Sequence, residues 1–220
     1  MSLTQVIGKG RTVALAPAAF GEMRARASRV AVDVGTGDGR FAYFLASADP
    51  EVLVIGMDAL AENMGERAAT AARKPPKGGR PNLLYVHAAI EALPAELEHV
   101  ADQVHVLLPW GVLLEGIVLA RDDVLGGIAA LCRPGARVSV TLNGEIWVDS
   151  MPARYEQLPV PTPEYVAEVV APGFARNGME LGRARYSSAE EAKQLPTSWA
   201  RKLGHGRDHP RFVQFESIAS

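Results

Sequence analysis

The sequence contains very little cysteine and no long apolar run. Cys132 is the only cysteine in 220 residues, which excludes an intrachain disulfide and a metal site built from cysteines. No apolar run approaches the roughly 20 residues of a membrane-spanning helix, and the first residues lack the apolar core of a signal peptide. We therefore expect a cytoplasmic protein with no membrane partner, in which Cys132 packs into the core from an apolar helix.

The sequence also lacks the usual signatures of nucleophilic, acid–base and metal chemistry. No Ser/His/Asp constellation, paired-acid motif or cluster of metal-ligand residues is evident, so no bound metal is expected. The apolar content of 48% and the charged content of 22% are those of a globular protein. A chain of 220 residues is most simply a single domain.

Positive charge does not dominate, since the net charge is −2, but it is concentrated in two stretches. The first contains no acid and comprises Arg67, Arg73, Lys74, Lys77 and Arg80. The second encloses only Asp208 and comprises Lys193, Arg201, Lys202, Arg207 and Arg211. Basic clusters on an otherwise acidic protein are typical of a surface that contacts phosphates. The alternative interpretation is a solvated loop and a solvated terminal segment.

Strand patterns alternate with helical patterns along most of the chain. Strands are predicted at residues 30–34, 52–58, 83–88, 104–108, 137–142 and 211–218. Helices are predicted at residues 18–28, from residue 40, and at 61–73, 94–100, 113–119, 123–131 and 163–177. A Gly-Lys-Gly turn at 8–10 predicts a hairpin within residues 1–15, and residues 144–162 and 187–210 are irregular insertions. This alternation predicts an α/β fold with a mostly parallel sheet, helices on both faces and a terminal antiparallel pair.

The most informative stretch is VAVDVGTGDGR at residues 30–40. Its glycines follow a buried strand in the spacing G-x-G-x-G, whereas dinucleotide-binding proteins use G-x-G-x-x-G. An acid inside the strand would repel a pyrophosphate, and it suits a ligand with a cationic end and hydroxyls, such as S-adenosylmethionine. An ordinary strand-to-helix turn is the alternative. The residues predicted to hold the cofactor here are Asp33, Gly35, Thr36, Gly37 and Gly39.

Further cofactor contacts are predicted at the ends of the next strands. Asp58 follows Gly39 by 19 residues, where an acid accepts hydrogen bonds from ribose hydroxyls; capping of the following helix is the alternative. The backbone of Ala88 is placed to contact an adenine edge. Glu91 is placed to accept a hydrogen bond from the exocyclic amine, or else begins a helix. Asp33 is placed to hold the amino group of the methionine moiety.

Two tryptophans are candidates for contact with a planar substrate. Leu107, in the fourth strand of the parallel series, is a further predicted cofactor contact. Leu108, Pro109 and Trp110 at the end of that strand should border the methyl donor, because ligands of doubly wound sheets bind at this edge. Trp199 lies in an irregular segment that also contains Thr197, Ser198, Arg201, Lys202 and Arg207. A tryptophan among basic and small residues is typical of a base-stacking platform with phosphate contacts. The two indoles are therefore predicted to sandwich a flipped base; the alternative for each is an anchor in a hydrophobic core.

These motifs together resemble the kanamycin–apramycin type aminoglycoside-resistance 16S rRNA methyltransferases, which modify N1 of adenine 1408. The resemblance rests on DVGTGDGR, IGMD, KPPKGGRPN, AAIEALP, LPWGVLLEG and SWARKLGHGR and covers almost the whole chain. It implies a class I S-adenosylmethionine-dependent, Rossmann-like fold with a seven-stranded sheet, an N-terminal hairpin and extended loops over the active site.

The resemblance also implies roles for residues and partners. Trp110 and Trp199 would sandwich the adenine, Thr197 and Ser198 would order the loop beside the cofactor, and the basic residues would contact rRNA. The RNA-binding residues implied are Arg67, Arg73, Lys74, Lys77, Arg201, Lys202 and Arg207. The partner would be 16S rRNA within the 30S subunit, bound by a monomer. The family has another basic residue shortly after Arg207, where this sequence has Asp208 and His209.

The scarcity of acid–base motifs agrees with methylation at adenine N1. That nitrogen is unprotonated at neutral pH and has a free in-plane lone pair, so the reaction needs positioning rather than a general base. The alternatives are a tRNA guanine-N7 methyltransferase and a non-catalytic S-adenosylmethionine-binding module for ribosome assembly. No role follows from the sequence for Glu145, Trp147, His209 or Arg211.

Overall fold

A mixed sheet with helices on both faces is the central feature of the computed structural model, which describes residues 3–144, 146–149, 152–188, 191 and 212–220. The strands of this described part are β1 Thr4–Gly8, β2 Arg11–Ala14, β3 Arg29–Val34, β4 Val52–Asp58, β5 Leu83–His87, β6 Ala101–Leu107, β7 Cys132–Asn143, β8 Met179–Leu181, β9 Arg185–Tyr186 and β10 Phe212–Ala219. The helices are α1 Pro17–Arg26, α2 Arg40–Ala48, α3 Ala61–Ala71, α4 Gly111–Val118, α5 Asp122–Leu131, α6 Ile146–Asp149, α7 Pro163–Tyr165 and α8 Ala171–Arg176.

Seven strands form the doubly wound sheet that the sequence predicts. Their order is β5-β4-β3-β6-β7-β10-β8, and β3 to β7 run parallel. Strand β10 returns antiparallel to β7, with Phe212 opposite Asn143 and Ile218 opposite Arg137. The predicted N-terminal hairpin is present as β1 and β2, and β1 extends the sheet by pairing with β5. The class I methyltransferase fold is therefore confirmed.

The parallel strands are apolar on both faces because helices cover both sides. In β3, Val30, Val32 and Val34 belong to the larger core cluster, whereas Ala31 belongs to the smaller cluster beneath α2 and α3. Asp33 lies on the same side of β3 as Ala31, and it is only 2% exposed. Because neighbouring residues of a strand face opposite sides, this one acid is buried where an apolar residue would be expected.

Strand β6, strand β7 and the segment after β5 differ from their sequence predictions. Strand β6 begins at Ala101 rather than at residue 104, since Ala101 pairs with Cys132. Cys132 is thus the first residue of β7, not part of a helix, and Arg133–Gly135 lie within that strand. The thiol is buried, donates to the carbonyl oxygen of Ile128 at 3.2 Å, and has its pKa raised to about 12 by burial. The core-packing interpretation of this cysteine therefore fits its surroundings. The helix predicted at 94–100 is a single 3-10 turn, Ala95–Leu97.

The helix predicted at 163–177 contains a wider turn in its middle. A π-helical segment, Val166–Val170, joins α7 to α8. Pro172 explains it, because proline has no N–H to donate to the carbonyl of the residue four positions earlier. The helix begins at Thr162, whose hydroxyl accepts from the Tyr165 amide at 3.1 Å. In the part of the chain that the structure describes, no helix has the length and apolar character to cross a membrane.

Candidate active site

A cavity of about 700 Å³ opens at the carboxyl ends of β3, β4, β5 and β6. Ligands of doubly wound sheets bind at this edge, and the volume is typical of small-molecule sites. The structure brings together here most of the predicted cofactor residues and one of the two predicted aromatic residues. Those that line the cavity are Asp33, Gly35, Thr36, Gly37, Asp58, Ala88, Glu91, Leu107 and Trp110.

Asp33 forms a buried acidic floor of this cavity. The Thr36 hydroxyl donates to its Oδ2 at 2.5 Å. Burial raises the pKa of Asp33 to about 7, the Thr36 hydrogen bond acts to lower it, and repulsion from Asp58 adds to the rise. A buried carboxylate without a countercharge favours either a bound proton or a bound cation. The site therefore fits a ligand that brings a positive group.

The glycine-rich loop is held close to the end of β4. The amides of Gly35 and Thr36 both donate to the Met57 carbonyl oxygen, at 2.8 and 3.0 Å. Gly37 has a φ of +55°, which favours glycine. No atom of the described part of the chain lies within 4 Å of where its Cβ would be, which leaves open space for a ligand.

Gly39 does not line the cavity, unlike the other predicted glycines. Its φ is +74°, and a Cβ there would lie 2.6 Å from the Tyr85 ring. The Tyr85 hydroxyl donates to the Gly39 carbonyl oxygen at 2.6 Å. Gly39 thus allows α2 to begin directly above a buried tyrosine, and its contribution to the cavity is through the shape of the loop.

Asp58 connects the glycine loop to the turn after β4. Its Oδ2 accepts from the Gly37 amide and its Oδ1 accepts from the Leu60 amide, both at 2.9 Å. Each carboxylate oxygen has a second lone pair, so both remain able to accept from ribose hydroxyls. The N-cap of α3 is Leu60, so the helix-capping alternative for Asp58 is wrong.

The predicted adenine-binding rim follows β5. The Ala88 amide donates to the Asp58 carbonyl oxygen at 3.1 Å. That amide is already engaged, so the backbone contact predicted for Ala88 rests on its carbonyl oxygen. Glu91 lies in a 3-10 turn, Ile90–Ala92, and its exposed side chain borders the cavity.

The rim opposite the glycine loop is formed by the turn after β6. Trp110 lies there with 38% of its surface exposed. Pro109 is buried behind it and does not line the cavity. Arg154 and Tyr155 complete this rim, and the Tyr155 ring lies 5.9 Å from the Trp110 ring. Both lie in a 3-10 turn, Ala153–Tyr155, within the residues 144–162 that are predicted to be irregular and that also contain α6. Sequence reasoning missed both, because this segment has no recognisable motif.

Trp147 serves the packing of that segment rather than the cavity. Its Nε1 donates to the Leu158 carbonyl oxygen at 2.7 Å, and its ring packs against the larger core cluster.

Several other candidate residues lie outside the described residues. They are Glu145, Lys193, Thr197, Ser198, Trp199, Arg201, Lys202, Arg207, His209 and Arg211.

The first basic stretch has a half-buried part and an exposed part. The guanidinium groups of Arg67 and Arg80 lie 5.6 and 4.7 Å from the centre of the Tyr43 ring. Arg73, Lys74 and Lys77 are exposed, and none of them joins an ion pair within the described ranges. Since α3 begins at the cavity and ends before these cations, they lie roughly 16 Å from it, one helix length.

The fold and the cavity define a class I S-adenosylmethionine-dependent methyltransferase. The sheet order, the antiparallel last strand, the glycine-rich turn and the two acids of β3 and β4 are all present. The chain belongs to the family of 16S rRNA (adenine(1408)-N(1))-methyltransferases, because the NpmA model of that family matches residues 4–217. The substrate of this family is ribosomal RNA.

Individual relatives agree with this assignment. A 16S rRNA (adenine(1408)-N(1))-methyltransferase from Streptoalloteichus hindustanus is 44% identical over 206 residues, which are 94% of each chain. The structure is similar to that of a variant of the enzyme from Catenulisporales acidiphilia with its cosubstrate S-adenosylmethionine, with a TM-score of 0.90, 40% identity and coverage of 99% and 97% of the two chains. It is also similar to the aminoglycoside resistance methyltransferase NpmB1, with a TM-score of 0.83, 32% identity and coverage of 99% and 100%.

Proposed function

We propose that this protein methylates N1 of adenine 1408 of 16S rRNA in the 30S subunit and so confers resistance to aminoglycosides of the kanamycin and apramycin type. The observation that carries the proposal is one cavity with a buried acid, Asp33, at its floor and an exposed indole, Trp110, at its rim. A binding site for a cationic donor thus lies beside a flat surface suited to a base. The ribosomal substrate would place the protein in the cytoplasm.

The cavity residues fit S-adenosylmethionine. When bound, it supplies an electrophilic methyl group on a sulfonium. Asp33 would hold its amino group, since this carboxylate is buried and pairs with no cation of the described residues. Asp58 would accept from the ribose hydroxyls, and Glu91 with the Ala88 carbonyl would bind the adenine edge. Leu107 would form part of the apolar wall, and the open space above Gly37 would admit the ligand.

The target base would be held by stacking rather than by acid–base groups. Trp110 would cover one face of the adenine and Trp199 the other, with Pro109 fixing the turn that carries Trp110. Adenine N1 attacks through its own lone pair, so positioning in line with the methyl group accounts for the catalysis. The product base is cationic, and the indole faces would stabilise that charge. Thr197 and Ser198 would order the segment that carries Trp199.

The basic residues of both stretches would bind the rRNA. Arg67, Arg73, Lys74 and Lys77 would contact rRNA phosphates, together with Arg201, Lys202 and Arg207. Arg73, Lys74 and Lys77 lie about one helix length from the cavity, so they would contact rRNA beyond the target base. One copy of the chain would suffice for this contact.

Transfer of a tritiated methyl group to purified substrates tests the proposal against its alternatives. We expect label in 16S rRNA when the substrate is the 30S subunit, and none in bulk tRNA. Label in tRNA alone would instead identify a tRNA guanine-N7 methyltransferase. Binding of S-adenosylmethionine with no label in any RNA would identify a non-catalytic ribosome-assembly module.

Neutralising the exposed cations should weaken binding to the 30S subunit without altering the chemical step. We expect the combined substitution of Arg73, Lys74 and Lys77 by alanine to raise KM for 30S roughly tenfold. The salt dependence of binding should become shallower by about one unit of slope for each phosphate that the variant no longer binds. Because these side chains lie away from the cavity, kcat and the affinity for S-adenosylmethionine should stay unchanged. Steady-state kinetics at several salt concentrations provide the measurement.

A matched control removes three positive charges from elsewhere on the surface. Arg121, Arg133 and Arg176 are exposed arginines, each paired with an aspartate. Their combined replacement by alanine should leave KM for 30S nearly unchanged. An equal rise of KM in both triple variants would mean that net charge, not this surface, governs binding.

A further inference from the structure

The turn that carries Trp110 has an unusual backbone. Leu108 has a φ of +51° and Gly111 a φ of +62°, so left-handed residues lie on both sides of Pro109 and Trp110. For leucine this conformation costs of order 1 kcal/mol or more. Such a backbone persists only where neighbouring groups hold it. The orientation of the Trp110 indole therefore depends on contacts outside the turn.

Two hydrogen bonds hold this turn, one at each end. The Leu108 amide donates to the Thr141 carbonyl oxygen of β7 at 2.9 Å. The Gly111 amide donates to the Tyr155 hydroxyl oxygen at 2.7 Å, across 44 residues of sequence. Gly111 is the first residue of α4, and its N-cap Trp110 provides no side-chain cap. The Tyr155 hydroxyl thus acts as a helix cap from a distant segment.

Tyr155 is itself fixed by its surroundings. The residue is only 2% exposed, and its ring contacts the Trp110 ring at a tilt of 45°. The Arg154 guanidinium lies 5.2 Å from the centre of the Tyr155 ring and donates twice to Glu115 Oε1, at 2.9 and 2.7 Å. Since Glu115 lies on α4, the segment carrying Tyr155 is bound to the first turns of the helix that follows Trp110.

We propose that Tyr155 is a positioning residue for methyl transfer, which holds the Leu108–Gly111 turn so that the Trp110 indole meets the target base at the correct angle. This rests on the proposed function of Trp110 in base stacking. Tyr155 acts through Trp110 and takes no part in the chemistry. Its loss should affect the chemical step rather than the binding of either substrate, because misplacement of about 1 Å costs up to a hundredfold in rate.

A second tyrosine provides a matched control. The Tyr165 hydroxyl donates to the Val118 carbonyl oxygen at 3.0 Å, at the far end of the same helix α4. Tyr155→Phe and Tyr165→Phe therefore each delete one hydroxyl and one hydrogen bond to α4. A purely structural role predicts the same result for both: a similar fall in Tm and an unchanged kcat.

The experiment measures kcat, KM for 30S, the affinity for S-adenosylmethionine and Tm for both variants. We expect Tyr155→Phe to lower kcat about tenfold and Tyr155→Ala up to a hundredfold, with both binding constants unchanged, and Tyr165→Phe to keep the wild-type kcat. An equal kcat for the two phenylalanine variants would overturn the proposal. A fall in affinity for S-adenosylmethionine that parallels kcat in Tyr155→Phe would also overturn it.

Trp110→Ala in the same assay separates this proposal from the function on which it rests. If Trp110→Ala is inactive while Tyr155→Phe keeps the wild-type kcat, the base-stacking role of Trp110 is supported and the positioning role of Tyr155 is wrong. If Trp110→Ala keeps the wild-type kcat, the stacking role itself fails and the role of Tyr155 fails with it. A wild-type protein that transfers no methyl group to 30S contradicts the proposed function before either variant is compared.

Discussion

Replacing Trp110 with alanine is expected to lower methyl transfer to the 30S subunit by about a hundredfold while leaving the affinity for S-adenosylmethionine unchanged. Stacking of a base on an aromatic ring contributes about 1–3 kcal/mol, and each 1.36 kcal/mol corresponds to about tenfold in rate. Trp110 is at the cavity rim with 38% of its surface exposed, away from the Asp33 floor. The reduction should therefore occur in kcat for the RNA substrate and not in cofactor binding.

Trp110→Phe is the matched variant for this prediction. Phenylalanine keeps a flat π-face and loses area, so we expect it to retain most of the activity. Single-turnover methyl transfer and calorimetric titration with S-adenosylmethionine measure the two quantities separately. A Trp110→Ala protein that transfers methyl groups at the wild-type rate would rule out stacking on this residue.

Replacing Asp33 with asparagine is expected to weaken S-adenosylmethionine binding by about a hundredfold or more, as is usual when one partner of a buried charge pair is removed. The wild-type affinity should itself depend on pH. With a pKa of about 7, Asp33 holds a proton at lower pH that must leave before a cationic group binds. As the pH increases, the affinity should therefore rise by up to tenfold per pH unit until about pH 7, and it should level off at higher pH. Titrations from about pH 5.5 to about pH 8 measure this.

The same carboxyl sets a pH dependence of stability with a definite sign. Its pKa is about 7 in the folded protein and 3.8 as the unperturbed value, so between these pH values the folded state binds more protons than the unfolded state. The free energy of unfolding should therefore fall as pH rises from about 4 to about 7 and then level off. Asp33→Asn removes this contribution. Urea titrations of the variant without ligand should be flatter with pH than those of the wild type.

Asp49→Asn supplies the control for both effects. Asp49 is an aspartate shortly before β4, paired with Arg29 and outside the cavity. The substitution likewise replaces a carboxyl group by an amide, but affinity for S-adenosylmethionine and its pH dependence should match the wild type. If Asp33→Asn binds S-adenosylmethionine as tightly as Asp49→Asn does, the assigned role of Asp33 is wrong.

The sequence predicts the strands well where both faces of a strand are buried. Strand β4 matches residues 52–58 at both ends, since all but its last residue are buried. The prediction for strand β6 begins three residues too late and ends one residue too far, at Leu108 rather than Leu107. The first residues of the strand are held by long-range contacts. The Asp102 carboxylate accepts from the Val30 amide at 2.8 Å and from Arg133 at 3.0 Å. The sequence pattern of the strand itself gives no information about partners so distant in the chain. The π-helical turn has a local cause instead, because Pro172 interrupts an otherwise regular helical pattern that the predicted helix 163–177 treats as continuous.

The residues of the candidate site also fall into a group that the sequence predicts and a group that it does not. Asp33, Asp58 and the glycines are predictable, because they follow or end strands directly and the carboxyl ends of parallel strands meet at one edge. Tyr155 is not predictable, because its partner Gly111 is 44 residues away and tyrosine in an irregular segment has no characteristic pattern. The hydrogen bond of the Ala88 amide to Asp58 is likewise invisible in the sequence. Motifs therefore indicate the ligand-facing residues, and the structure adds those that hold them in place.

Primer extension on 16S rRNA tests the central claim most directly. Purified 30S subunits are incubated with the protein and S-adenosylmethionine, and the extracted rRNA is copied by reverse transcriptase. Methylation at N1 blocks the Watson–Crick edge, so we expect one new stop, immediately before adenine 1408, that requires both protein and cofactor. The absence of that stop in 30S subunits, with a functional protein that binds S-adenosylmethionine, would contradict the account.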